Sequence, residues 1–219
     1  MKTAVVAGAG GLIGTFLVEH LQKAHEFSKI ILLVRKPLGL KGEKIKELIV
    51  DFEALTLLEL NPAESIVFCC VGTTIGKAGS QEIFEKADYH LPVNLAHWCK
   101  KQNIPQLLVV SSLGADPLSS NFYLRTKGRM QQSISEIGLE TVIFVQPSLL
   151  TGPRKEFRFG EKIAILSSYL WSWLLWGPFE KYRPIAAETV AKAMIKLSLT
   201  KQKGVHTVLS NQLQKASAI

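Results

Sequence analysis

Tyr123 and Lys127 stand four residues apart in the stretch SSLGADPLSSNFYLRTKGRMQQSI. On a helix that spacing puts both on one face. A tyrosine hydroxyl normally ionises too high to serve near neutral pH, but a neighbouring ammonium favours the phenolate and brings its proton within reach of catalysis. Ser111 and Ser112, at the end of the apolar run before that helix, could donate a hydrogen bond to a substrate oxygen. Together these side chains make a proton relay for a carbonyl or an alcohol. A Y-x-x-x-K pair also arises by chance, so its weight depends on the rest of the chain.

A second chemical signal lies in VVAGAGGLIGTFLVEHL, Val5 to Leu21. Gly8, Gly11 and Gly14 have G-x-x-G-x-x-G spacing, with Gly10 giving a looser overlay, and Leu12 and Ile13 open an amphipathic helix. Glycine there permits a tight turn, close approach of backbone to a pyrophosphate, and packing of helix on strand. The unpaired amides at the helix start then face the anion. This context predicts dinucleotide binding. At the end of the second apolar run, an acidic residue would accept from a ribose 2′-hydroxyl and a basic one would pair with a 2′-phosphate. The chain has Arg35 and Lys36 there, which points to NADP with NAD second, the alternative being a cation that simply leaves for solvent. Asp51 is placed to meet an adenine amine, through its side chain or the neighbouring Phe52 backbone, or else is a turn residue.

Positioning these groups requires strands and helices in alternation. Strand-length apolar runs occur at TAVVA, KIILLVR, ELIVD, SIVFCCVG, QLLVVSS and TVIFVQP. Helical patterns cover Leu12 to Ala24, roughly Ser80 to Lys101, Asn121 to Ile137 and Ala187 to Leu199. Such alternation implies an α/β fold, a doubly wound parallel sheet of Rossmann type flanked by helices. Residues 148–184, rich in Gly, Pro, aromatic and basic types, read as a small irregular substrate lobe within a single domain spanning 1–219.

With the glycine turn, paired serines and Tyr–Lys pair in this order, the chain resembles the extended or atypical branch of the short-chain dehydrogenase/reductase superfamily. CCVGTTIGKAGS, SSLGAD and YLRTKGRMQ are more narrowly similar to the Tat-interacting-protein family of NADP-binding proteins, within the NmrA- and epimerase-like group. The resemblance implies cofactor contacts at Gly8, Gly11 and Gly14, a 2′-phosphate reader at Arg35, and a loop Gly72, Thr73 and Thr74 beside the nicotinamide ribose. It implies an active-site pair in Tyr123 and Lys127, with Ser112 favoured over Ser111 as the substrate serine, and a Pro147–Leu149 segment passing the nicotinamide amide. It departs from the family at Asp88, where many relatives carry asparagine, and that puts a four-residue relay with asparagine in doubt. The given chain ends with GVHTVLSNQLQKASAI, which makes a sugar-nucleotide epimerase the lesser expectation.

The chain has 219 residues, 47% hydrophobic, enough for a substantial core. Three cysteines without disulfide or metal spacing read as buried thiols, and the opening residues lack a secretory pattern, so the expected location is the cytoplasm. The net charge of +8 raises the question of nucleic acid, but the basic cluster between Lys29 and Lys46 has no interleaved aromatics or reading helix. The segment 163–179, with Trp171, Trp173 and Trp176, reads first as a lid over the substrate, then as a homodimer face or weak membrane-surface contact, then as core. The resulting expectation is an NADP-dependent oxidoreductase for a small, apolar carbonyl or alcohol of unknown identity. The other expectation is a non-catalytic NADP(H)-binding sensor or scaffold.

Overall fold

All six apolar runs form strands, and they pair side by side in one direction. The computed structural model describes residues 1–153, 177–200 and 202–218. The chain begins β1 (Lys2–Ala7), α1 (Leu12–Lys23), β2 (Phe27–Val34), β3 (Ile45–Ile49) and β4 (Ser65–Cys69). Two short helices, α2 (Ile75–Ala78) and α3 (Gln81–Glu85), lead through a π-helical turn, Lys86–His90, into α4 (Leu91–Lys101). Then come β5 (Gln106–Val110), α5 (Phe122–Glu136), β6 (Thr141–Gln146) and β7 (Leu150–Thr151). The described remainder is β8 (Ile185–Ala186), α6 (Ala187–Ser198), β9 (Gly204–Leu209) and α7 (Ser210–Ala218).

The sheet has seven strands in the order β3-β2-β1-β4-β5-β6-β9, every pair parallel. Parallel strands need crossovers, and the helices supply them on both faces. One core joins the sheet to α1, α6 and α7 through Leu17, Leu21, Val190, Met194 and Leu213. The other joins it to α4 and α5 through Leu95, Trp98, Cys99, Met130 and Ile134. Each fully buried side chain of this size contributes about 1.5–3 kcal/mol. The strand order reverses between β1 and β4, which opens a crevice at their carboxyl ends.

Gly8 closes the floor of that crevice. Its φ is +87°, and a Cβ would stand 2.6 Å from the carbonyl carbon of Cys70, so only glycine fits. A small second sheet pairs Leu150 with Ile185 and Thr151 with Ala186, forming a lobe beside the carboxyl end of the main sheet. The Trp-rich stretch assigned as lid, dimer face or core lies outside the described residues up to residue 176. Beyond it the backbone forms a 3-10 turn, Gly177–Tyr182. Among the described residues, no helix is long and apolar enough to cross a membrane.

Candidate nucleotide and catalytic site

The glycine turn leaves the start of α1 open. Gly11 N–H donates to Gly8 O at 3.0 Å, and Gly11 then stands as the N-cap of α1 without a side-chain cap. No acidic residue occupies the first turn of α1, so its amides and dipole are left for a bound anion. A Cβ on Gly14 would fall 2.1 Å from Gly8 O, which is why the helix can pack so tightly on the turn. Gly10 is looser, since a Cβ there would meet only the Leu38 side chain, at 3.2 Å. Leu12 faces Gly152 of the lobe, and Ile13 turns into the core.

Around the cradle, Arg35 and Lys36 are exposed in the bend after β2 and, among the described residues, make no hydrogen bond or ion pair. Asp51 is exposed, and its Oδ1 accepts from the Glu53 amide at 2.9 Å as a local turn. Phe52 is buried, and its carbonyl accepts from Asn94 Nδ2 at 3.3 Å. Gly72, Thr73 and Thr74 leave β4 toward the crevice, with Thr74 capping α2 by accepting from Lys77 N. Pro147 O accepts from Leu113 N at 3.0 Å, and Leu149 O from Ile185 N at 3.0 Å, so this segment ties β6 to both neighbouring loops.

Helix α5 positions the Tyr–Lys pair. Asn121 caps it by accepting from Leu124 N at 3.1 Å, and Arg125 Nη1 donates to Ser119 O at 2.8 Å and Ser120 O at 2.9 Å. Gly128 lets the preceding loop lie on the helix: a Cβ there would fall 2.1 Å from the Asp116 carbonyl carbon. The Tyr123 ring packs 5.6 Å from that of Phe84 on α3. Ser111 is buried, and Gln131 Nε2 donates to its hydroxyl, with Gln146 Nε2 donating in turn to Gln131 Oε1 at 3.3 Å. Ser112 is half-buried, with only a 3.5 Å contact to Leu113 O.

The centre of the site is a buried ion pair. Lys127 Nζ lies 2.8 Å from Asp88 Oδ1, with side chains 3% and 1% exposed, and it approaches Val110 O at 3.4 Å. Asp88 Oδ2 accepts from the Thr73 amide at 2.8 Å. Burial works against the Lys127 charge, but the Asp88 carboxylate and Tyr123 outweigh it and hold its pKa above the ordinary lysine value. Burial also pushes the nearby Cys69 thiol up to about 11, keeping it protonated.

Asp88, noted in the sequence only as a departure, thus belongs to the site. Its signal was present: Phe84, Asp88, Pro92 and Leu95 fall on one buried helical stripe, and a carboxylate on an apolar stripe needs a cation. Gly128 and Phe84 were missed as well. Their roles depend on contacts between elements that no local pattern carries.

A family model described as NAD(P)H-binding matches residues 8–168. Protein HTATIP2 of Rattus norvegicus is 32% identical over 169 residues, 74% of this chain and 69% of the relative. The mitochondrial protein FMP52 of Candida albicans is 28% identical over 216 residues, 95% and 91% of the two chains. Among solved structures, MoeE5 in complex with UDP-glucose and NAD superposes with a TM-score of 0.68 at 14% identity, covering 99% of this chain and 81% of that one. UDP-glucuronic acid 4-epimerase from Bacillus cereus in complex with NAD gives 0.68 at 13% identity, covering 95% and 78%.

Three expectations are corrected. An NADP-dependent oxidoreductase for small apolar carbonyls does not stand, nor does the NADP(H) sensor. Structures that share this fold include epimerases of bulky UDP-sugars, and the chain covers most of their length. The NADP preference read from Arg35 and Lys36 falls with it, since the described neighbours hold NAD and both cations are solvated rather than aimed by a partner. The cytoplasmic expectation is overturned by the FMP52 relatives, which are mitochondrial proteins, because the opening residues alone do not distinguish one compartment from another. Fold and family are those of NAD(P)-binding proteins. From the matched family and its relatives, the chain belongs to the NAD(P)H-binding proteins of the extended short-chain dehydrogenase/reductase type.

Proposed function

We propose that the protein is an NAD-dependent enzyme that acts at a secondary alcohol or ketone of a hydroxyl-rich substrate of the sugar-nucleotide kind. The observation that carries this reading is the Tyr123–Lys127–Asp88 cluster beside an uncapped helix start at the sheet's crevice. The residues fit a pyridine dinucleotide: the glycine turn leaves no Cβ between the backbone and a pyrophosphate, and the α1 amides lack a competing carboxylate. The substrate class is supported by the neighbours that bind UDP-sugars.

In this reading Gly8, Gly10, Gly11 and Gly14 with Leu12 and Ile13 hold the pyrophosphate, and Phe52 walls the adenine. Gly72, Thr73, Thr74 and Lys127 hold the nicotinamide ribose, and Pro147 and Leu149 flank the nicotinamide. The bound dinucleotide supplies a hydride acceptor or donor. Tyr123 takes the hydroxyl proton as the alcohol is oxidised and returns it when the ketone is reduced. Lys127 lies one turn along the same face of α5, which sets its ammonium beside the tyrosine. Ser112, unlike Ser111, has its hydroxyl uncommitted to Gln131 and orients the substrate oxygen.

The test is to mix purified protein with NAD and UDP-glucose, UDP-glucuronic acid or UDP-N-acetylglucosamine and follow the reduced-nicotinamide absorbance and the sugar product. Turnover of one of these that is lost in Tyr123→Phe supports the reading. Wild-type protein that holds NAD yet changes none of them, while reducing simple ketones when NADH is supplied, would overturn the substrate class.

A further inference from the structure

The buried carboxylate of Asp88 touches two segments at once, and both belong to the cofactor site in the reading above. Its Oδ1 faces the Lys127 ammonium at 2.8 Å and its Oδ2 accepts from the Thr73 amide at 2.8 Å. Gly72 lies against Oδ1, where a Cβ would stand 3.4 Å away. Asp88 is carried on the π-helical turn Lys86–His90, a geometry that is rare in proteins and concentrated at functional sites. A fully buried charge pair is a costly way to join two elements, since apolar packing of similar volume often does as well or better.

We propose that Asp88 is a positioning residue, which locks the Lys127 ammonium and the Gly72–Thr74 loop to each other so that both meet the nicotinamide ribose as one unit. The inference rests on the proposed nucleotide site and adds to it a role for the acidic side chain. Without the carboxylate, a lysine as deeply buried as Lys127 sheds its proton far more easily. Asparagine at this position keeps an acceptor for Thr73 but offers the ammonium no charge. Asp88→Asn therefore isolates the ion pair.

The other titratable groups facing Lys127 are Tyr123 on its own helix and Cys69 on β4. The Cys69 thiol, pushed up to about 11 by burial, stays protonated throughout the test. Tyr123 is removed by working in a Tyr123→Phe parent. NADH affinity is measured by fluorescence titration in this parent, in Asp88→Asn, in Lys127→Met and in the combination of the two. Between roughly pH 7 and pH 9 the parent changes by less than about threefold, whereas Asp88→Asn loses about tenfold as its lysine deprotonates. Placed on Lys127→Met, Asp88→Asn changes nothing, because it acts through the ammonium.

A profile for Asp88→Asn that superimposes on the parent overturns the proposal, as does an equal loss in the Lys127→Met background. If Asp88→Asn alone fails to fold, the combined variant decides: it recovers folded protein because no buried charge is left unpaired, and failure of that variant too, where Lys127→Met folds, overturns the pairing. A parent that binds no NADH overturns the nucleotide site itself and this inference with it. A parent that binds alongside an unaffected Asp88→Asn overturns only the role of Asp88.

Discussion

Gly14→Ala tests the construction of the cradle, with Gly10→Ala as its internal control. A methyl on Gly14 would fall 2.1 Å from Gly8 O, 2.8 Å from Gly8 C and 2.9 Å from Ala9 Cα, all backbone atoms of a turn that is itself pinned against Cys70. Ordinary contact lies near 3.5–4.0 Å, so α1 and the turn must part by roughly 1.5 Å. Overpacking of this kind costs about 1–3 kcal/mol, and here no flexible side chain can absorb it. At about 2–4 °C per kcal/mol for a chain of this size, the melting temperature falls by roughly 2–12 °C. A methyl on Gly10 meets only the end of Leu38, at 3.2 Å, and Leu38 can rotate. Its stability stays within about 0.5 kcal/mol of wild type. Denaturant and thermal unfolding, with NADH titration at temperatures where both variants are folded, read the two effects. Gly14→Ala should lose affinity because the amides no longer converge. If Gly14→Ala melts with wild type, or Gly10→Ala is the less stable of the two, the account of the turn is wrong.

Gly128→Ala should destabilise by about 2 kcal/mol or more, since its methyl would strike the Asp116–Pro117 backbone; unfolding at the wild-type midpoint would contradict that packing. Tyr123→Phe should lower turnover by about 10²–10⁴-fold while NADH affinity changes by less than about threefold, and retained turnover would remove Tyr123 from the chemistry. Stability should decline on the alkaline side. Burial raises the pKa of Cys69 to about 11 and lifts those of Cys70 and Cys99 further, so the folded state holds protons that the unfolded chain releases from about 9.0 upward. The raised Lys127 pKa acts in the same direction above its ordinary value of 10.5. Unfolding free energy should therefore be full at neutral pH and fall from roughly pH 9 through pH 11; a flat profile would show these groups to be ionisable in place.

The strands and crossover helices were legible because each buries a face, and burial writes a period into the sequence. β3 shifted from Glu47–Asp51 to Ile45–Ile49, and its half-exposed edge position blurs the period there. β9 and α7 went unassigned for the same reason: Gly204–Leu209 is an edge strand with polar His206 and Thr207 and little burial. The glycine turn and the Tyr–Lys pair were readable as local spacings. The choice between Ser111 and Ser112 was not local, since it turns on Gln131, which reaches Ser111 from a helix twenty residues away. Arg35 and Lys36 misled because residue type alone does not say whether a cation is aimed at a ligand or left in water. The Asp88–Lys127 pair spans two helices on either side of β5, and only the fold brings it together.

The most direct measurement of the central claim is fluorescence titration of the purified protein with NADH and, in parallel, NADPH, repeated on Lys127→Met. The account predicts saturable NADH binding at one site, weakened by loss of the ammonium. No binding of NADH, or binding of NADPH alone, would contradict it.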